Sequence, residues 1–142
     1  MIKLLCIILA ALLAGGSPDA IVGDYFSIHG KDEYKVRVSE KPDGSFKAQL
    51  FWTKNSINPA TGKIWTDYKN PDKSLRDTPC DQIVIIDGLK YNEAKDQWDG
   101  AKIYDPRHGI KANVVVKRNP DGNLTLRCSL LGISETVIWK KL

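Results

Sequence analysis

The feature that most constrains this chain is its hydrophobic rhythm. From Ile21 onward apolar and polar side chains alternate in short runs, and no stretch holds a helical period for more than two turns. Alternation with period two sends successive side chains to opposite faces, so such runs are half-buried strands of an antiparallel sheet. Tyr34, Val36 and Val38 share one face of Glu33 to Val38, with charges on the other. Pro42, Asp43 and Gly44 then supply turn chemistry, and Phe46, Ala48, Leu50 and Trp52 repeat the alternation on the return strand, completing a hairpin.

The same pattern predicts further strands at Ile21 to Ile28, Gln82 to Ile86, Trp98 to Tyr104, Lys111 to Lys117, Asn123 to Cys128 and Thr136 to Lys140, about eight in all. Turn signals at Asp87-Gly88, Asp105-Pro106 with Gly109, and Asn119 to Gly122 separate them as sequential hairpins. A meander of this size is expected to close into a small antiparallel β-barrel, because closure removes the unpaired edges of an open sheet.

One segment breaks the rhythm. Thr53 to Pro79 is polar and rich in turn formers, and long ordered loops are often functional. Within it Asn70-Pro71-Asp72 reads as the start of a short helix, with Asn capping, Pro in the first turn and Asp at the positive end of the dipole. Asp72 and Arg76 are then spaced to form an ion pair, and Leu75 is expected to point toward the barrel.

The N-terminus sets the compartment. Lys3 is followed by eleven uncharged residues, Leu4 to Ala14, and then by Gly15-Gly16-Ser17-Pro18. This is the layout of a secretory signal peptide, and it is well short of the roughly 20 apolar residues a membrane-spanning helix needs. Ala14 and Gly16 suit a cut after residue 16, with a cut after Ala20 as the alternative, so residues 17–142 form the expected single domain. The product is expected to be exported, to the periplasm or the medium, without a transmembrane segment. Cys6 is discarded with the leader, and it lacks the small residues that precede a lipid-modified cysteine. Removal of residues 1 to 16 leaves 20 positive against 17 negative side chains, too mild an excess for a nucleic-acid binder, and no cationic stripe with interleaved aromatics is present.

Two cysteines remain, Cys80 and Cys128, and an even count in an exported chain suggests a disulfide. Their spacing fits no zinc pattern. A bridge closing a loop of about 49 residues contributes on the order of 4 kcal/mol in the chain-entropy model. The alternative is two separate small buried thiols.

Several stretches together resemble a family of small exported bacterial proteins, the domain of unknown function 2147. They are Ile21-Val22-Gly23 with Tyr25; Asn70, Pro71, Asp72, Leu75 and Arg76 with Pro79; Trp98, Gly100, Ile103, Tyr104, Asp105, Pro106 and Gly109; and Leu131 to Ser134 followed by Trp139. The resemblance implies a barrel similar to lipocalins and fatty-acid-binding proteins, and implies no reaction or ligand. Cys80 stands where the family commonly has an aliphatic residue and Cys128 where it commonly has glycine, which adds to the disulfide expectation.

Catalytic chemistry has little to stand on. The histidines, His29 and His108, sit in turns or at strand ends and are expected at the surface, and no nucleophile elbow, phosphate-cradling glycine loop or helical histidine pair occurs. Asp99 and Asp105 flank the Trp98 motif as a pair of carboxylates, but Asp105-Pro106 reads more simply as a turn. The chain is therefore expected not to be an enzyme and to take neither cofactor nor metal. Asn123-Leu124-Thr125 matches a glycosylation acceptor but is assigned no role in a bacterial protein.

Ligand binding rests on Trp52, Arg76, Trp98 and Tyr104. The aromatic rings either line a cavity or fill the barrel, and Arg76 either pairs with Asp72 or meets a ligand carboxylate. Trp98, Gly100, Lys102 and Tyr104 share one strand face and Ala101 and Ile103 the other, unless a bulge at Gly100 changes the parity. The expected partner is a small apolar or amphiphilic ligand held between the barrel walls. The alternative is an interaction module with a filled barrel that presents its loops to an envelope protein.

Overall fold

Alternating runs joined by tight turns leave every strand edge open until the last strand meets the first. The computed structural model, which describes residues 16–142, makes that closure. β1 (Gly23–His29), β2 (Asp32–Glu40), β3 (Phe46–Thr53), β4 (Val84–Asn92), β5 (Gln97–Asp105), β6 (Ile110–Arg118), β7 (Leu124–Leu130) and β8 (Ile133–Lys141) pair antiparallel in chain order. The β1–β8 seam pairs only Tyr25 with Lys141 and Phe26 with Lys140. Ser27 adds to it by donating its hydroxyl to the Ile138 carbonyl at 2.9 Å. The expected leader, with Cys6, lies outside the described residues apart from Gly16. No described helix is long and apolar enough to cross a membrane.

All eight expected strands are present, with three changes. Ile21 does not open β1 but ends a 3-10 turn, Pro18–Ile21. Asp87-Gly88 is not a turn: β4 runs through it, and Gly88 is an extra residue between the pairs Lys47–Asp87 and Phe46–Leu89, which makes a bulge. β8 starts three residues earlier than expected, at Ile133.

The helix expected after Asn70 is reduced to one 3-10 turn, Lys73–Leu75. Asp72, not Asn70, caps it, accepting the Ser74 amide at 3.0 Å, while the Asn70 side chain accepts the Asp72 amide at 2.9 Å. These short side chains satisfy the backbone locally, in competition with a longer helix. Leu75 is 47% exposed and does not pack on the barrel. Arg76 does not pair with Asp72; its Nε donates to the Asn70 carbonyl at 2.6 Å.

The barrel is filled at one end. There the β2–β3, β4–β5 and β6–β7 turns lie, and the Pro18–Ile21 turn plugs the opening. Trp98 and Trp139 are buried to within 2% of full, with Tyr25, Phe46, Leu124 and Leu126 around them. Buried polar atoms of these rings each find a partner, as desolvation requires. Trp98 Nε1 donates to the Pro18 carbonyl at 2.9 Å, and the Tyr25 hydroxyl donates to the Ile21 carbonyl at 2.7 Å. Burial pushes the Tyr25 hydroxyl up to about 12, so it remains a donor across the physiological range. Trp98→Ala is expected to lower unfolding free energy by about 3–5 kcal/mol, and Tyr25→Phe by about 1 kcal/mol, as read from urea midpoints.

Candidate functional site

Past the tryptophans the inward side chains become smaller and the barrel is hollow. A cavity of about 670 Å³ opens at the end formed by the β1–β2 and β5–β6 turns, the β7–β8 turn and the segment between β3 and β4. Its inner wall is Leu50, Ile83, Ile85, Ile103, Ala112 and Val137. At its floor stands Tyr34, whose hydroxyl accepts from Trp139 Nε1 at 2.9 Å, joining floor to packed core. Burial raises the Tyr34 hydroxyl above its ordinary range, so the floor is polar but uncharged.

The charges sit at the mouth. Arg107, from the β5–β6 turn, donates to Asp32 on β2, to Asp105 at 3.2 Å and toward His29 Nδ1 at 3.2 Å. His29 Nε2 in turn meets Glu135 on β8, and Lys54 pairs with Glu33 at 2.8 Å. The network therefore links β1, β2, β5 and β8 across the rim. Burial works to raise the Asp105 carboxyl, but hydrogen bonds from His108 and Arg107 outweigh it and hold the group below the usual carboxylate range.

Of the four residues expected to bind ligand, only Tyr104 borders this cavity. Trp52 lies on the outside of β3, 38% exposed, with Lys35 Nζ 5.1 Å from its ring centroid. Trp98 belongs to the packed half, and Arg76 is engaged by Asn70. The Gly100 bulge does form: its φ is +80°, and the ladder slips between Trp98 and Ala101. That slip reverses parity, so Trp98 and Ile103 both face inward although their positions differ by an odd number.

The motif residues converge elsewhere, on a clamp that pins the β3–β4 segment to the wall. The Tyr104 hydroxyl donates to buried Asp67 at 2.7 Å, and Asn70 Nδ2 donates to the same carboxylate at 2.8 Å. Burial and the bond to Asp67 raise the Tyr104 hydroxyl well above its ordinary value. Gly109, with φ +66°, lies so close to the Lys69 carbonyl that any side chain there would collide with it. Asp67, Tyr34, Trp65 and Tyr68 carried no sequence signal as site residues. An isolated Asp in a polar segment resembles any solvated one until a tyrosine some 37 positions away covers it.

Asp99 and Asp105 are not brought together. Asp99 accepts from the Gln97 and Asn92 side chains at the closed end, while Asp105 stands at the mouth, roughly 20 Å along the strand by residue rise. His29 and His108 lie at the mouth in the exposed network, as expected of surface residues. Among the described residues no group of three or more His, Cys, Asp or Glu is arranged to hold a metal.

The cysteines depart from expectation. Cys80 and Cys128 are free thiols, both bordering the cavity, and the expected bridge is not formed. Cys80 Sγ sits 3.4 Å from Thr53 Oγ1 and 3.8 Å from the Ser56 carbonyl, held by the segment rather than by β7. Burial, with Glu135 nearby, pushes the Cys128 thiol up to about 11.

A closed eight-strand antiparallel meander, packed at one end and hollow at the other, is a small barrel of the lipocalin-like fold. The chain belongs to the bacterial family of domain of unknown function 2147, described as uncharacterized proteins conserved in bacteria, whose profile matches residues 23–141. Among solved structures it is similar to protein HP1028 from the human pathogen Helicobacter pylori, described as belonging to the lipocalin family. The two are 24% identical, the match covers 86% of this chain and 82% of that one, and the TM-score is 0.69. Proteins of curated function show no match to the chain.

Thiol chemistry tests this arrangement. A thiol at about 11 against an ordinary 9.0 carries about a hundredfold less thiolate at pH 8, so native Cys128 should alkylate about a hundredfold more slowly than a free thiol and speed up as pH approaches 11. Denaturation without reductant should expose both Cys80 and Cys128 to iodoacetamide, as peptide mass mapping would show. A Cys80–Cys128 linked peptide would contradict the free thiols.

Proposed function

We propose that this is an exported barrel that binds a small, partly apolar ligand, its apolar body in the hollow half and its polar end toward the charged mouth. The observation that carries the reading is the unequal filling of one barrel. The closed half is packed to exclusion of solvent, while the open half keeps about 670 Å³ lined by aliphatic side chains. That volume lies within the roughly 300–1,000 Å³ of small-molecule sites. Every rim carboxylate has a hydrogen-bonding partner, Asp32 and Asp105 sharing Arg107, Glu33 meeting Lys54 and Glu135 meeting His29, so a ligand's polar end meets a rim of engaged polar groups on entry.

Export is supported by the leader pattern, and the plug favours the earlier of the two cuts. A cut after residue 16 leaves Pro18–Ile21 whole, whereas a cut after Ala20 would remove the carbonyl that Trp98 uses. Among the described residues no serine, threonine or cysteine of the cavity hydrogen-bonds a histidine or carboxylate that could activate it, which favours the reading of a carrier or sensor over an enzyme.

The test is native mass spectrometry of protein recovered from the exported fraction, with the denatured mass as reference. A retained small mass that is lost on denaturation is the expected result, and a bare mass that also fails to take up N-phenyl-1-naphthylamine would overturn the reading. Ala112→Phe, which adds bulk inside the wall, should weaken uptake of that probe about tenfold or more, while Trp52→Phe on the outer surface should leave it unchanged.

A further inference from the structure

The hairpin joining β7 to β8 is built against its own local chemistry. Leu131 occupies the left-handed region with φ +52°, followed by Gly132 at +79°, the geometry of a two-residue turn that asparagine or glycine normally supplies. A leucine there is strained, and it is also 93% exposed, with Ile133 at 75% and Leu130 beside it in the open. Strain and apolar exposure fall on the same residue, and neither serves the fold.

The hairpin also projects. Ile133 to Thr136 are exposed on both strand faces, and the seam to β1 pairs only at the far end of β8. Leu130 and Ile133 border the cavity as well, so apolar side chains of the hairpin reach from the tip to the barrel mouth. Across the same mouth Trp65 and Tyr68 stack at 5.9 Å, half in solvent, and Lys69 lies over the Tyr68 ring. Rings with one wet edge and lysines on long stems are the side chains that settle at a headgroup layer.

We propose that the mouth end docks on a phospholipid bilayer, with Leu130, Leu131 and Ile133 entering the acyl boundary and Trp65, Tyr68 and Lys69 at headgroup level. Charge supports this partner. Asp32 and Asp105 share Arg107, Glu33 meets Lys54 and Glu135 meets His29, while Lys31 and Lys69 form no ion pair among the described residues; Lys69 Nζ donates only to the Arg107 carbonyl, at 2.8 Å, so both cations keep charge to offer lipid phosphates. Shape supports it too. A narrow tip offers far less than the roughly 800 Å² per partner that a stable protein contact buries, whereas a bilayer accepts side chains singly. A carrier seated this way would exchange an apolar ligand with the membrane without passing it through water, but the docking itself does not require the cavity to be occupied.

Hydrogen exchange of the full chain, with and without vesicles of phosphatidylglycerol and phosphatidylethanolamine, locates the contact. The described chain begins at the closed end, where Gly16 lies against Tyr91 and Asp96, so binding through the apolar N-terminus protects the opposite pole. Vesicles are expected to protect amides at Leu130–Glu135 and Trp65–Lys69 and to leave Lys41–Ser45 unchanged. Leu131→Asn suits the turn better than leucine, so it should hold or raise Tm while raising the vesicle concentration for half-maximal tip protection about tenfold. No tip protection, protection confined to the closed end, or a Leu131→Asn variant that binds vesicles as the parent does would overturn the proposal. Tip protection that grows with protein concentration and ignores vesicles would overturn it in favour of contact between copies. Failure of the ligand test leaves these outcomes unaffected, and the reverse holds as well.

Discussion

Two indole rings decide the interior of this barrel. Trp98 on β5 and Trp139 on β8 are both buried in the closed half, and each must hand its N–H to an acceptor because burial removes water. Trp98 draws the Pro18 carbonyl over the packed end as a plug, and Trp139 fixes the Tyr34 hydroxyl as a floor. Large rings below and modest aliphatic side chains above divide one tube into a packed half and a hollow half. The packed half supplies rigidity, so the hollow half can stay unfilled without collapse.

The β3–β4 segment is the second consequence of pairing rules. A stretch too polar for a strand is held by satisfying its polar groups on one another. Asp67 accepts from Tyr104 and Asn70, Asn70 accepts from Arg76, and Gly109 lets the Lys69 carbonyl approach. The motif residues that suggested a binding site serve to shape the mouth. Their role is positioning, since they fix where Trp65 and Tyr68 stand beside the cavity.

Much of the fold was legible because strand periodicity is a local property. The hairpin of β2 and β3, the turns at Asn119 to Gly122 and at Asp105 to Gly109, and closure into a meander barrel all follow from alternation and turn residues. Asp87-Gly88 misled because the same dipeptide makes a turn or a bulge, and only the partner strand β3 distinguishes them. The site was much less legible. Trp52 and Trp98 both alternate as inward residues do, yet one lies outside the wall and the other below the cavity. Depth along the barrel and the parity change at Gly100 are set by strand register, which no single run encodes.

By itself the sequence determined the class of this protein: an all-β meander of eight strands, with a leader pattern, a mild surface charge and the motifs of its family. Tertiary structure alone decided that the barrel is half filled and where its opening lies. It alone decided that Cys80 and Cys128 stand as separate thiols and that Arg76 turns to Asn70 rather than Asp72. The physical reason is range. Periodicity and turn chemistry act between neighbours in the chain, whereas cavities, clamps and rims are made by residues tens of positions apart that meet only once the register is closed.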